Sequence, residues 1–312
     1  MSGDVLAGGT DVRAGADATA SDDAEIDAKL AELDAHLRSL GSVLVCYSGG
    51  VDSAFVLAAA HRALGPRAIG LTAVSPSLPA SELDDALRVA KTIGADHRVV
   101  SSNEIDDPDY QKNGPDRCFH CKSELYRIAD RKRREWGVEH VLNGTNLDDL
   151  GDYRPGLEAA SNAAVKSPLV ELGFDKRLVR RGALRVGLGI WDKPAAACLA
   201  SRLPFGTGVT RERLARIGAL EAALRAQGFR QVRVRYHELA APGSPPSSDE
   251  KAMARIELDA AELAAAASPE RRDAIVRAGR DAGFVYVTLD LGGYRMGSHN
   301  EVLGRRSLPV VS

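Results

Sequence analysis

The chain has 312 residues, and 41 Lys plus Arg nearly balance 43 Asp plus Glu for a formal charge of −2. That length favours two domains, and the balanced charge speaks against a dedicated nucleic-acid binder with a strong basic field. Four cysteines are too few for a disulfide framework, no apolar run reaches the roughly 18 residues of a membrane span, and no secretory leader pattern opens the chain, so a cytoplasmic protein with no membrane partner is expected.

Residues 1–23 are small, polar and acidic without a period, and read as a disordered tail. Ile26, Leu30, Leu33, Leu37 and Leu40 then recur at intervals of four and three, one stripe of a helix that Gly41 can end. SVLVCY is a short apolar strand, SGGVDS a turn and SAFVLAAAHRAL a helix. RAIGLTAV, ASELDDALRVAKTIG, HRVV, KSELYRIADRKRREWG and HVLNGT continue the alternation of strand and helix. This rhythm implies an α/β domain, a parallel sheet with helices on both faces. Ligands of such sheets bind outside the carboxyl ends of the strands, here the loops after Tyr47, Val74 and Asn143.

From about residue 206 the order becomes helix, strand, polar insertion, strand, helix, strand, which suggests a smaller α+β domain. The boundary falls near WDKPAAACLASRLPFG, giving domains over 24–200 and 201–305 and a short tail over 306–312. The Pro/Ser-rich stretch at 241–248 reads as a long hairpin connection on the surface.

The strongest local signal is Ser48-Gly49-Gly50-Val51-Asp52-Ser53 between a buried strand and a helix start. Glycines let backbone approach a ligand, and a helix N-terminus offers unpaired N–H groups to an anion. Asp52 has a role in an anion cradle only if a divalent cation such as Mg²⁺ is bound as well. No G-x-x-x-x-G-K-[ST] occurs, so the loop is not a Walker A motif.

Cys118 and Cys121 form C-x-x-C, and Cys198 follows in ACLASR. A redox pair would sit at a strand-to-helix turn, whereas this one follows a polar loop. Zinc would need a fourth ligand, with His120 or His237 available. Three thiolates suit a [4Fe-4S] cluster with one open iron. Cys46 lies inside the strand VLVCY and reads as a small core residue.

SGGVDS after an apolar strand resembles the PP-loop of the ATP pyrophosphatase superfamily, which cleaves ATP between the α- and β-phosphates. NGPDRCFHCK (113–122), NGTNLDDLGDYRPGL (143–157), ACLASRLPFGT (197–207), QGFRQVRVRYH (227–237), ARIEL (254–258) and GFVYVTLDLGGYR (283–295) together resemble the LarE family. The likeness runs from about residue 30 to 303, without the 239–252 insertion.

The resemblance implies a PP-loop domain and an ATP-dependent sulfur transferase of nickel-pincer cofactor synthesis. A carboxylate of a pyridinium biscarboxylic acid mononucleotide is adenylated, and sulfur then displaces AMP. ATP would lie against Ser48, Gly49, Gly50, Val51, Asp52, Ser53, Gly144 and Thr145, with Mg²⁺. Cys198, Asp52, Arg202 and Glu221 match catalytic positions, and Arg233, Arg235, Glu257 and Lys122 substrate-binding ones. Asp152 and Arg154 also match family motifs. Some members spend one cysteine as the sulfur source, at the position of Ala197 here; others hold a [4Fe-4S] cluster on three cysteines, which this chain matches with Cys118, Cys121 and Cys198. The family also implies a homo-oligomer, a trimer or hexamer. A tRNA thiolase, a sacrificial Cys198 and a non-catalytic nucleotide sensor are the alternatives.

Overall fold

Val43–Cys46 (β1) is buried along its whole length, as a parallel strand covered on both faces must be. Val43 and Val45 enter one core and Leu44 and Cys46 another, the alternation that a strand imposes. In this computed structural model, which describes residues 12–151, 155–194, 196–239 and 251–295, β1 is joined by Ala68–Val74 (β2), Asp96–Ser101 (β3) and His140–Leu142 (β4). All three pairings are parallel and the order is β3-β2-β1-β4. The chain therefore moves outward from β1 through β2 and β3, then returns to the other side of β1. The crevice outside the carboxyl ends of β1 and β4 is the topological switch point, where open α/β sheets bind ligands.

Among the described residues, eight helices accompany this sheet: Val12–Ser39 (α1), Val51–Leu64 (α2), Ala80–Ile93 (α3), Pro108–Gln111 (α4), Arg117–Glu135 (α5), Pro155–Asn162 (α6), Pro168–Glu171 (α7) and Lys176–Arg185 (α8). Helices α1, α2, α3 and α8 cover one face, where Leu37, Phe55, Val89 and Val179 are buried, and α5 and α6 cover the other with Tyr126, Ala129 and Ala159.

The second region contains Arg211–Ala226 (α9), Val232–Glu238 (β5), Ala252–Leu258 (β6), Leu263–Ala266 (α10), Pro269–Asp281 (α11) and Tyr286–Leu289 (β7). Strands β5 and β6 pair antiparallel and β6 and β7 parallel, in the order β5-β6-β7. Val232, Val234 and Tyr236 pack with Leu214, Ile217 and Leu220 of α9. Ile105 and Tyr110 join this second core, and Cys121 and Cys198 pack at its edge. The two regions thus meet where the cysteines are.

Three differences from the sequence reading concern this frame. Helix α1 begins at Val12, so part of the expected tail is helical; Ala14, Ala16, Ala18 and Ala20 are strong helix formers that outweigh the missing apolar stripe. Helix α5 begins at Arg117 rather than after the cysteine pair, so Cys118 and Cys121 lie three apart on a helix and share a face. Helices α6 to α8 had no expected counterpart. Asp152, Arg154 and the 241–248 stretch lie outside the described residues. Among the described residues, no helix is long and apolar enough to cross a membrane.

Candidate active site

The loop after β1 is fastened by its own hydroxyls. Ser48 N donates to Ser53 Oγ at 3.2 Å, Ser53 Oγ donates to Gly50 O at 3.2 Å, and the Ser48 and Ser53 hydroxyls lie 3.1 Å apart. Gly49 has a φ of +78°, the left-handed region open to glycine, and a Cβ there would sit 2.9 Å from that of Ala86. Gly50 caps α2 without a side-chain acceptor, which leaves the first N–H groups of the helix for a ligand anion.

The loop after β4 closes on the same helix start. A Cβ on Gly144 would lie 2.6 Å from Ser53 N and 2.9 Å from Asp52 C, so only glycine permits this approach. Asn146 is 1% exposed and donates from Nδ2 to Asp52 Oδ1 at 3.1 Å. Lys176, the first residue of α8, places Nζ 2.6 Å from both Asp52 oxygens. Its own backbone N–H donates to Asp148 Oδ2 at 2.7 Å. Asp52 thus stands between an amide and an ammonium that the sequence reading did not include. Asn146 belongs to the quoted NGTNLDD segment, but nothing local marks Lys176.

Ser48, Gly50, Asp52, Ser53, Asn143, Gly144 and Thr145 line a cavity of about 480 Å³. Lys122, Cys121 and Cys198 line it too, as do the unpredicted Glu104 and Asp149. Glu104 is buried and accepts from Ser102 Oγ at 2.5 Å. Lys122 is exposed, and the missing Cβ of Gly156 leaves it room, since one would lie 3.0 Å from its Cγ. Surrounding protein disfavours its charge, but the acidic groups of Tyr126, Cys121, Cys46 and Cys118 outweigh that and hold its ammonium above the ordinary lysine range.

Cys118 is exposed, while Cys121 and Cys198 are half-buried. Burial pushes the Cys121 thiol up to about 12; Lys122 opposes this, and Cys198, Glu104 and Cys118 add to it. All three cysteines are therefore electrostatic neighbours. They are not among ligand atoms lying within 4.8 Å of one another, a set that among the described residues is Asp107, Asp109 and His120. A single tetrahedral zinc with bonds of about 2.3 Å needs sulfurs closer than this, whereas a multi-iron cluster spreads its thiolates over separate irons. Three thiols at this seam are a donor type that suits an iron–sulfur cluster. For Mg²⁺, Asp52 and Asp149 are carboxylates beside the phosphate cradle, a donor type that fits this ion. Cys46 is buried, with its thiol also raised to about 12 by burial against the pull of Lys122.

Arg202, Glu221, Arg233, Arg235 and Glu257 do not line the cavity. Arg202 and Glu221 are 1% and 0% exposed and pair through Nε at 2.8 Å and Nη2 at 3.1 Å. Arg202 Nη1 donates to the carbonyls of Ala197 at 2.7 Å and Cys198 at 2.9 Å. Arg235 bridges Glu257 at 2.9 Å and the Ser201 carbonyl at 3.0 Å. Arg233 donates to Val232 O at 2.9 Å and lies 5.4 Å over the Tyr294 ring; burial and nearby Arg202 hold it below the usual arginine value. Arg202 thus joins Glu221 in the core to the backbone segment that carries Cys198.

A glycine-serine loop at the switch point of a parallel sheet, joined to an uncapped helix start, defines the ATP pyrophosphatase class of PP-loop enzymes. Residues 27–113 match the family model described as asparagine synthase. An uncharacterised protein of Synechocystis is 41% identical over 278 residues, covering 89% of this chain and 99% of its own. A protein of Lactiplantibacillus plantarum named pyridinium-3,5-bisthiocarboxylic acid mononucleotide synthase is 35% identical over 294 residues, covering 91% and 98%. An uncharacterised protein of Methanocaldococcus jannaschii is 27% identical, covering 81% and 90%. The chain belongs to the LarE family, that of the Lactiplantibacillus synthase, and is an ATP-dependent sulfur transferase.

Proposed function

We propose that the substrate is the carboxylate pair of pyridinium-3,5-biscarboxylic acid mononucleotide, each carboxylate becoming a thiocarboxylate. The observation that carries this reading is one cavity shared by the PP-loop, Lys122, Cys121 and Cys198. A carboxylate has no adequate leaving group, so activation has to precede sulfur transfer. A carboxylate oxygen attacks the α-phosphorus of ATP, and pyrophosphate departs with the electrons of the broken P–O bond. A hydrosulfide equivalent then adds to the acyl carbon, AMP leaves with the C–O pair, and the sulfur-bound proton passes to solvent.

The N–H groups at the start of α2 hold the departing phosphates, and Lys122 adds a cation beside them. Mg²⁺ near Asp52 and Asp149 would neutralise the pyrophosphate. A [4Fe-4S] cluster on Cys118, Cys121 and Cys198 would supply an exchangeable sulfide at an open iron and leave the chain intact over many turnovers. Of the expected substrate-side cations, Lys122 lines the cavity and is the one placed to meet a substrate anion. A homo-oligomer accompanies this reading and is measurable by sedimentation.

Pyrophosphate release on adding the pyridinium mononucleotide tests the reading. Stimulation by that compound and not by tRNA supports it; stimulation by tRNA alone favours a tRNA thiolase, and no release with either favours a nucleotide sensor.

A further inference from the structure

The segment that carries Cys198 is held by guanidinium groups from three elements. Arg202 takes the carbonyls of Ala197 and Cys198, and Arg235 takes that of Ser201. The carbonyl between them, Ala200 O, accepts from Arg117 Nη1 at 2.9 Å. Arg117 is 8% exposed and directly precedes Cys118. The same Nη1 donates its other hydrogen to Asn113 Oδ1.

Asn113 is fully buried with a φ of +54°, a left-handed conformation that asparagine tolerates better than most residues. Its Nδ2 donates to Pro204 O at 2.7 Å and Thr207 O at 2.9 Å, and its carbonyl accepts from Gly206 N at 3.1 Å. Two chain segments that bear the cysteines, distant in sequence, are thereby locked across the seam. Asn113 and Arg117 of NGPDR thus bond the backbone of the ASRLPFGT segment.

We infer that Arg117 is a positioning residue for sulfur transfer, whose single Nη1 fixes the separation of Cys118 and Cys121 from Cys198. The inference rests on the reading that these three cysteines hold the cluster. A group that orients ligands without touching the metal typically changes metal affinity by about 10- to 100-fold when removed.

The test uses the full chain, anaerobic reconstitution with Fe²⁺ and sulfide, and three readouts: iron and acid-labile sulfide per chain, the rate of iron loss to a chelator, and ATP binding as a check on folding. Arg117→Met is expected to bind ATP as wild type does but to lose iron about tenfold faster. Arg117→Lys, whose ammonium can donate to both Asn113 and Ala200, is expected to restore retention to within about threefold. If Arg117→Met no longer binds ATP, Arg117→Gln, too short to reach both acceptors, takes its place with the same expectation. A loss-of-contact variant that loads and retains iron like wild type overturns the inference while leaving the cluster intact. Wild-type protein that takes up no iron ends the cluster reading and this inference together.

Discussion

Lys176 Nζ lies 2.6 Å from both carboxylate oxygens of Asp52, so the acidic residue of the ATP loop already has a cationic partner before any metal arrives. Removing the ammonium leaves a negative charge beside the site for phosphate. Two unit charges about 4 Å apart at a protein surface interact by about 4 kcal/mol, enough to weaken ATP binding. Lys176→Met is expected to raise KM for ATP about tenfold at low Mg²⁺, and the deficit should shrink as Mg²⁺ rises and replaces the lost cation. Steady-state pyrophosphate release at a series of Mg²⁺ concentrations checks this; a defect insensitive to Mg²⁺ would contradict it.

Gly144 is the second constraint on the loop. Its added Cβ would meet backbone atoms of Ser53 and Asp52, not a side chain that could swing aside. Gly144→Ala should therefore push the β4 loop off α2, destabilise the fold by about 1–3 kcal/mol and weaken ATP binding. Urea unfolding and nucleotide titration measure the two effects.

Glu221 makes acid stability predictable. Burial alone would raise its carboxyl, but Arg202, the Val234 N–H and Arg225 outweigh burial and lower it. A carboxylate with a lowered folded-state value contributes fully above its unfolded value of about 4.3 and loses that contribution as pH falls toward the folded one. Wild type is therefore expected to lose stability below about pH 4.3, and Glu221→Gln to show a flatter acid limb. Because that variant leaves Arg202 buried without its partner, it should also be less stable near neutrality by about 3–5 kcal/mol. Urea midpoints across the acid range decide; identical slopes for the two proteins would refute the assignment.

What the sequence disclosed follows from how locally each feature is encoded. The alternation of short apolar runs with helical stripes revealed the parallel sheet, and SGGVDS marked the loop at its switch point. The contact of Gly144 with α2 was approachable because its motif follows a strand directly. Lys176 was invisible: it reaches Asp52 across more than a hundred residues, and a lone lysine at a helix start resembles any solvated one. Arg202 and Glu221 were recognisable as special, but a motif match records that residue types matter without recording what they touch. Buried against Glu221, Arg202 holds the carbonyls of Ala197 and Cys198. The start of α5 was missed because its first turn is cysteine-rich and polar, with Arg117 held by tertiary contacts that no helical period announces.

The central claim is that one cavity joins ATP cleavage at the PP-loop to sulfur delivery at the cysteines. The most direct test is Cys198→Ala with the pyridinium mononucleotide, ATP and a sulfide source, recording pyrophosphate and thiocarboxylate together. The account predicts that pyrophosphate release continues while thiocarboxylate formation stops. Thiocarboxylate formation at the wild-type rate in Cys198→Ala would contradict it.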